Sequence, residues 1–169
     1  MTFFAKAAMA LSLSYYFLLF GFVWIGEMLG IHGLVWDMFD FPEQDTSPPF
    51  WTLVVGLILT LIALVSLAGA FRGAWLVLKG GPEQDFRDLG RNLRHMAWGL
   101  IGFWIGYNVI ALVMPHLIVI GLESTEGFDF SWAPLDLDIV FAITGVVLLA
   151  ISQTLERAWQ AEDENKHFL

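Results

Sequence analysis

The chain has no cysteine. Disulfides, thiolate metal centres and cysteine nucleophiles are excluded from the start. Charge is scarce as well: 15% of the residues are Asp, Glu, Lys or Arg, against about 25% in an ordinary soluble domain. Basic residues are the scarcest, with 8 Lys and Arg against 17 Asp and Glu and a net charge of −9. No nucleic-acid partner is expected from such a chain. No nucleophile–base–orienter set, phosphate-cradling glycine loop or close group of three metal ligands is present. Gly80-Gly81 lacks the Lys-Ser/Thr that a phosphate loop needs. The polar residues Thr60, Ser66, Asn108, Thr144 and Gln153 are scattered and form no track along any apolar run. The expectation is a protein that is not an enzyme and carries no cofactor.

What the chain has is apolar length. Hydrophobic residues make up 57%, and the mean hydropathy is +0.68. The charges bunch between uncharged runs of roughly 20 residues, the length that crosses a bilayer core of about 30 Å. This predicts an all-α integral membrane protein with four transmembrane helices in a single domain, 1–169. The spans fall at about 7–31, 52–78, 96–120 and 135–155. A cytoplasmic loop covers 79–95, and outer loops cover 32–51 and 121–134. The first span follows Lys6 and is too long for a signal-peptide core, so it reads as retained. Ser47-Pro48-Pro49 closes the first outer loop, because no helix interior accommodates that pair. Gly80-Gly81-Pro82 ends the second span. Asp85 is placed to cap the helical entry to the third span. The alternation in Gly127–Trp132 suggests a short strand, and Asp136 and Asp138 suit the first turn of the last helix.

The charges set the orientation. All 8 bases, Lys6, Arg72, Lys79, Arg87, Arg91, Arg94, Arg157 and Lys166, fall on one side of a four-span chain. The outer segments hold acids and no base. The positive-inside rule puts both termini and the Arg72–Arg94 stretch in the cytoplasm. Trp51, Trp75, Trp98, Trp132 and Trp159 lie near span ends, where indole rings favour the interface.

A few residues could do more than span. Three spans contain Gly-x-x-x-Gly: Gly26 with Gly30, Gly69 with Gly73, and Gly102 with Gly106. That spacing lets helix backbones approach closely, within the bundle or against a partner helix. Apart from Asp136 and Asp138 in the first turn of the fourth, Glu27 is the one acid inside a predicted span. Such a carboxylate is a functional candidate by default, although its outer position suits a water-reaching interfacial group. His32 and His116 stand near the outer ends of their spans. Two facing imidazoles could ligate a haem iron, but His95 stands alone at the inner end, with no matching pair. Arg72 and Glu156 share a depth and are expected to pair. Arg72, Lys79, Arg87, Arg91 and Arg94 are expected to meet anionic lipid headgroups or a cytoplasmic partner.

Two segments carry a family resemblance. One is FRDLGRNLRHMAWGL, entering the third span. The other is the end of the fourth, where Ala158, Glu162, Asp163, Glu164, Asn165, Phe168 and Leu169 match a closing run. Together they resemble the bacterial four-span family known as domain of unknown function 2975. The likeness covers the second half of the chain and extends to the first by topology. It departs from the pattern at Leu169. It implies a four-span inner-membrane protein with no activity to carry over. Some members are thought to accompany small helix-turn-helix regulators, which implies a sensing or regulatory interaction. The expected function is therefore an accessory subunit or regulatory partner of other membrane proteins. The alternatives are a haem- or quinone-binding redox subunit, or a small transporter or ion-handling protein.

Overall fold

The structure, a computed structural model, describes residues 2–41, 47–80, 85–120 and 136–167. They form five helices: α1 (Thr2–Met28), α2 (Leu34–Met38), α3 (Phe50–Gly80), α4 (Phe86–Ile118) and α5 (Asp136–His167). The four long ones are long and apolar enough to cross a membrane. The expected all-α, four-span class is what the chain adopts. The second outer loop, with its suggested strand, lies outside the described residues.

The helix bounds differ from expectation mostly at one end. α3 has 31 residues and α4 has 33. At about 1.5 Å per residue each exceeds the roughly 30 Å hydrocarbon core by several turns. The surplus lies at the basic end. α4 starts ten residues earlier than the expected third span, because Arg87, Arg91 and Arg94 are good helix formers and Asp88 pairs with Arg91 one turn on, at 2.8 Å. The expected loop 79–95 therefore shrinks to the five residues between Gly80 and Phe86. Asp85 occupies the N-cap position, but its side chain makes no capping bond. α5 likewise continues past residue 155 to His167, so the polar tail is helical.

At the opposite, acidic end α1 stops at Met28. The chain turns through Gly30 (φ +90°) and Gly33 (φ +97°), left-handed conformations that favour glycine. It then forms the short α2, which was not foreseen inside the outer loop. Val35 and Trp36 of α2 are fully buried and cap the bundle there.

The long helices pack in the order α1, α3, α4, α5. Among the described residues α1 and α5 make no backbone contact with each other. Rings bridge where backbones do not: Phe103 of α4 lies 6.3 Å from Tyr16 of α1 and 5.2 Å from Phe141 of α5.

α3 and α4 make the closest pair, and glycine sets their distance. A Cβ at Gly99 would stand 2.4 Å from the Ala70 nitrogen and 2.6 Å from the Ser66 carbonyl oxygen. One at Gly73 would stand 2.8 Å from backbone atoms of Asn92 and Met96, and one at Gly106 would stand 2.9 Å from the Ala63 Cβ. Gly102 meets Ser66 at 3.1 Å. The three expected glycine ridges thus have different fates. Gly102 with Gly106 is a true seam. Gly73 belongs to the same interface, but Gly69 beside it faces open space. Gly26 meets only the Leu34 and Ile31 tips and its own helix's Phe22, and Gly30 is a turn residue. Gly56, Gly90, Gly99 and Gly145 also sit at helix contacts, although no spacing rule singled them out.

Candidate functional site

Two places bring polar side chains together. The first is the acidic-end cap. Trp24 of α1 is fully buried, and its ring fits the notch left by Gly56 of α3. Its Nε1–H donates to Thr60 Oγ1 at 2.8 Å, so the indole's one polar atom is satisfied inside the bundle. One turn later comes Glu27, with no side-chain exposure. Its carboxylate accepts the Ser47 hydroxyl at 2.8 Å and the Val35 backbone N–H at 3.3 Å. Ser47 spends its single proton on Glu27, so the 2.5 Å contact to His32 is a bond from imidazole Nδ1–H to Ser47 Oγ. His32 Nδ1 also lies 3.9 Å from Glu27 Oε1.

Glu27 is therefore not the water-reaching carboxylate its position suggested. It ties the end of α1 to the start of α2 and to the residue leading into α3. The order of the three groups, carboxylate, hydroxyl, imidazole, differs from a hydrolytic triad, in which the imidazole stands between the other two. The arrangement joins three segments of chain and presents His32 at its surface.

The structure gives His32 and His116 a hydrogen bond each. His32 is held by Ser47, and His116 donates from Nδ1 to the Leu112 carbonyl at 3.0 Å on the exposed side of α4. Among the described residues no group of three His, Asp or Glu could hold a metal.

The second place is the basic end. The contacts show that the basic ends of the helices lie together: Lys6 of α1 stands over Trp75 of α3, and Arg87 of α4 stands over Trp159 of α5, each at 4.9 Å. Arg94 of α4 pairs with Glu156 of α5. That corrects the expected Arg72–Glu156 pair. Arg72 instead lines a groove with residues of α4.

Arg72 faces a groove between α3 and α4, of about 520 Å³. Arg91 and His95, one turn apart on α4, line it with Asn92, and Ser66, Gly69, Gly73, Trp98 and Gly99 complete the lining. His95 donates from Nδ1 to the Arg91 carbonyl at 2.8 Å. Arg91 keeps its bond to Asp88. Among the described residues Arg72 and Lys79 make no hydrogen bond or ion pair. A smaller recess of about 350 Å³ continues past Leu76, Arg91 and Asn92 to Lys79.

Of the five expected basic residues, Arg72, Lys79 and Arg91 thus share one connected surface, whereas Arg87 and Arg94 fasten α4 to α5. Sequence reasoning missed Ser47, Trp24, Asn92 and His95 as members of either place. The four-residue spacing of Arg91 and His95 on one helix was the available signal. Ser47 was readable only as part of a helix breaker.

No protein-family model, characterised protein or solved structure matches the chain.

Proposed function

We propose that the chain is a non-enzymatic, multi-pass protein of the bacterial inner membrane, with both termini cytoplasmic. It acts as an accessory subunit or regulatory partner of other membrane proteins. The observation that carries this reading is the open row of helices. Among the described residues α1 and α5 make no backbone contact with each other, so the backbones form an open row. α1 turns Tyr15, Leu18 and Phe22 outward, and α5 does the same with Val140, Ile143 and Val146. A partner helix can complete such a row by van der Waals packing, which drives association inside a bilayer. The resemblance to the domain of unknown function 2975 supports the same class, because its members are four-span proteins without an assigned activity.

A photo-crosslinking side chain at Leu18, which is 73% exposed, tests the proposal against one at Leu64, which is 1% exposed. In native membranes the Leu18 position should give one discrete crosslinked protein, and the Leu64 position only internal products. Crosslinks from Leu18 to lipid alone would overturn the proposal.

A further inference from the structure

We propose that the α3–α4 groove is a binding site for a single phospholipid with a net-negative headgroup. The phosphate is held by Arg72 and Arg91, and the upper part of an acyl chain lies over Gly69. This site requires only that the helices span a membrane, and it does not require a protein partner.

Depth points to it first. Arg72 lies 22 residues beyond Phe50 in one continuous helix, which is about 33 Å along its axis. That places its guanidinium just past a hydrocarbon core of about 30 Å. Gly69 and Ser66 lie one and two turns deeper, within the hydrocarbon. The groove therefore crosses the boundary between headgroups and acyl chains, and only an amphiphile matches both parts.

Charge agrees with depth. Arg72 is exposed and has no partner among the described residues. Arg91 is held by Asp88, the acid at the mouth, through one bond at 2.8 Å. A guanidinium has five N–H donors, so Arg91 can keep that bond and still reach a phosphate. Asn92 adds a neutral donor beside them. Lys79, in the adjoining recess, extends the positive field towards the water. Guanidinium groups match phosphate oxygens in pairs.

Shape completes the match. Gly73 and Gly99 draw the two backbones together, and Gly69 contributes no side chain on the adjacent surface. An added Cβ there would meet nothing within 4 Å. Trp98 stands 58% exposed at the rim, placed to cover the glycerol region. A volume of about 520 Å³ is too small for a whole lipid. It suits a headgroup and the first methylenes, with the remaining chain in the bilayer.

The test uses the full chain in nanodiscs containing phosphatidylglycerol and phosphatidylcholine, with retained lipid counted by native mass spectrometry. One phosphatidylglycerol per chain should survive. Arg72→Gln with Arg91→Gln should lower its occupancy by about thirtyfold, as expected for two interfacial charges. Arg87→Gln with Arg157→Gln removes equal charge elsewhere and should leave it unchanged. Gly69→Leu adds a side chain whose Cβ meets nothing within 4 Å and whose outer atoms occupy the groove; it should also abolish retention. Helix content of each variant by circular dichroism checks that it folds. Equal retention of the two lipids, equal loss in both double variants, or full retention in Gly69→Leu would each overturn the site. Displacement of the lipid by millimolar inorganic phosphate would also overturn it, because the site would then be one for the free anion.

Discussion

Trp24 shows how one residue fixes the docking of a whole helix. Its ring fills the space over Gly56, and its N–H is spent on Thr60. Gly56→Ala would place a methyl 2.4 Å from two ring carbons of a fully buried indole. The expected cost is about 1–3 kcal/mol, with a shift in Trp fluorescence in detergent unfolding experiments. Thr60→Val keeps the shape and removes the acceptor; about 0.6–2 kcal/mol should be lost. Glu27 gives a second case. Glu27→Ala leaves the Ser47 hydroxyl and the Val35 N–H without their acceptor, at a cost of about 1–3 kcal/mol. Glu27→Gln keeps the carbonyl oxygen and should lose less than half of that. Equal losses in thermal unfolding would mean that the negative charge itself holds the cap. The sequence marked Glu27 as unusual, because acids are rare inside spans. It did not reveal the partners. Ser47 is 20 residues away, and only the turn through Gly30 and Gly33 brings it close.

Among helices, the glycine motif separates into two chemical situations that spacing cannot distinguish. Gly99→Ala forces a methyl against the α3 backbone, which cannot yield without parting the helices. A loss of about 1–3 kcal/mol is expected. Gly69→Ala meets open space and should stabilise the helix by about 1 kcal/mol through its higher propensity. Measured stabilities that move in the same direction for both would contradict the packing. Spacing shows which residues share a face. It does not show which face meets a neighbour, so Gly69 and Gly73 were read together and turned out to differ. Arg72 and Arg94 repeat the lesson. Hydropathy placed Arg72 at the depth of Glu156, but which arginine pairs with Glu156 depends on direction around the helix axis, which an all-round apolar helix does not encode. The Arg94–Glu156 pair is itself half-exposed, at 43% and 46%, so it is worth little beyond aligning α4 with α5.

For the whole molecule, composition carried most of the architecture. Four apolar runs long enough to span were readable, because the bilayer imposes length rules on every span. Asp85 marked the helical entry to α4, although the expected span itself starts at 96; the short α2 was not readable, since it lies where the bilayer rules stop applying. The proposed orientation rests on the placement of the basic residues and is directly testable. Single cysteines replacing Thr46 and Gln84 should react with an impermeant thiol reagent from opposite faces of the membrane; reaction of both from one face would refute four spans.

The order of packing has a consequence for how the protein is made. α1 packs on α3, α3 on α4, and α4 on α5, so each long helix rests on the one synthesised just before it. Among the described residues the backbone contacts between long helices join only helices that follow one another in the chain, which favours stepwise assembly. A chain cut after Ile120 should therefore keep Trp24 buried against Gly56 and Thr60, with native fluorescence and the same response to Gly56→Ala. The protein can be complete, helix by helix, as it leaves the ribosome, and its last helix arrives to find its binding face already built.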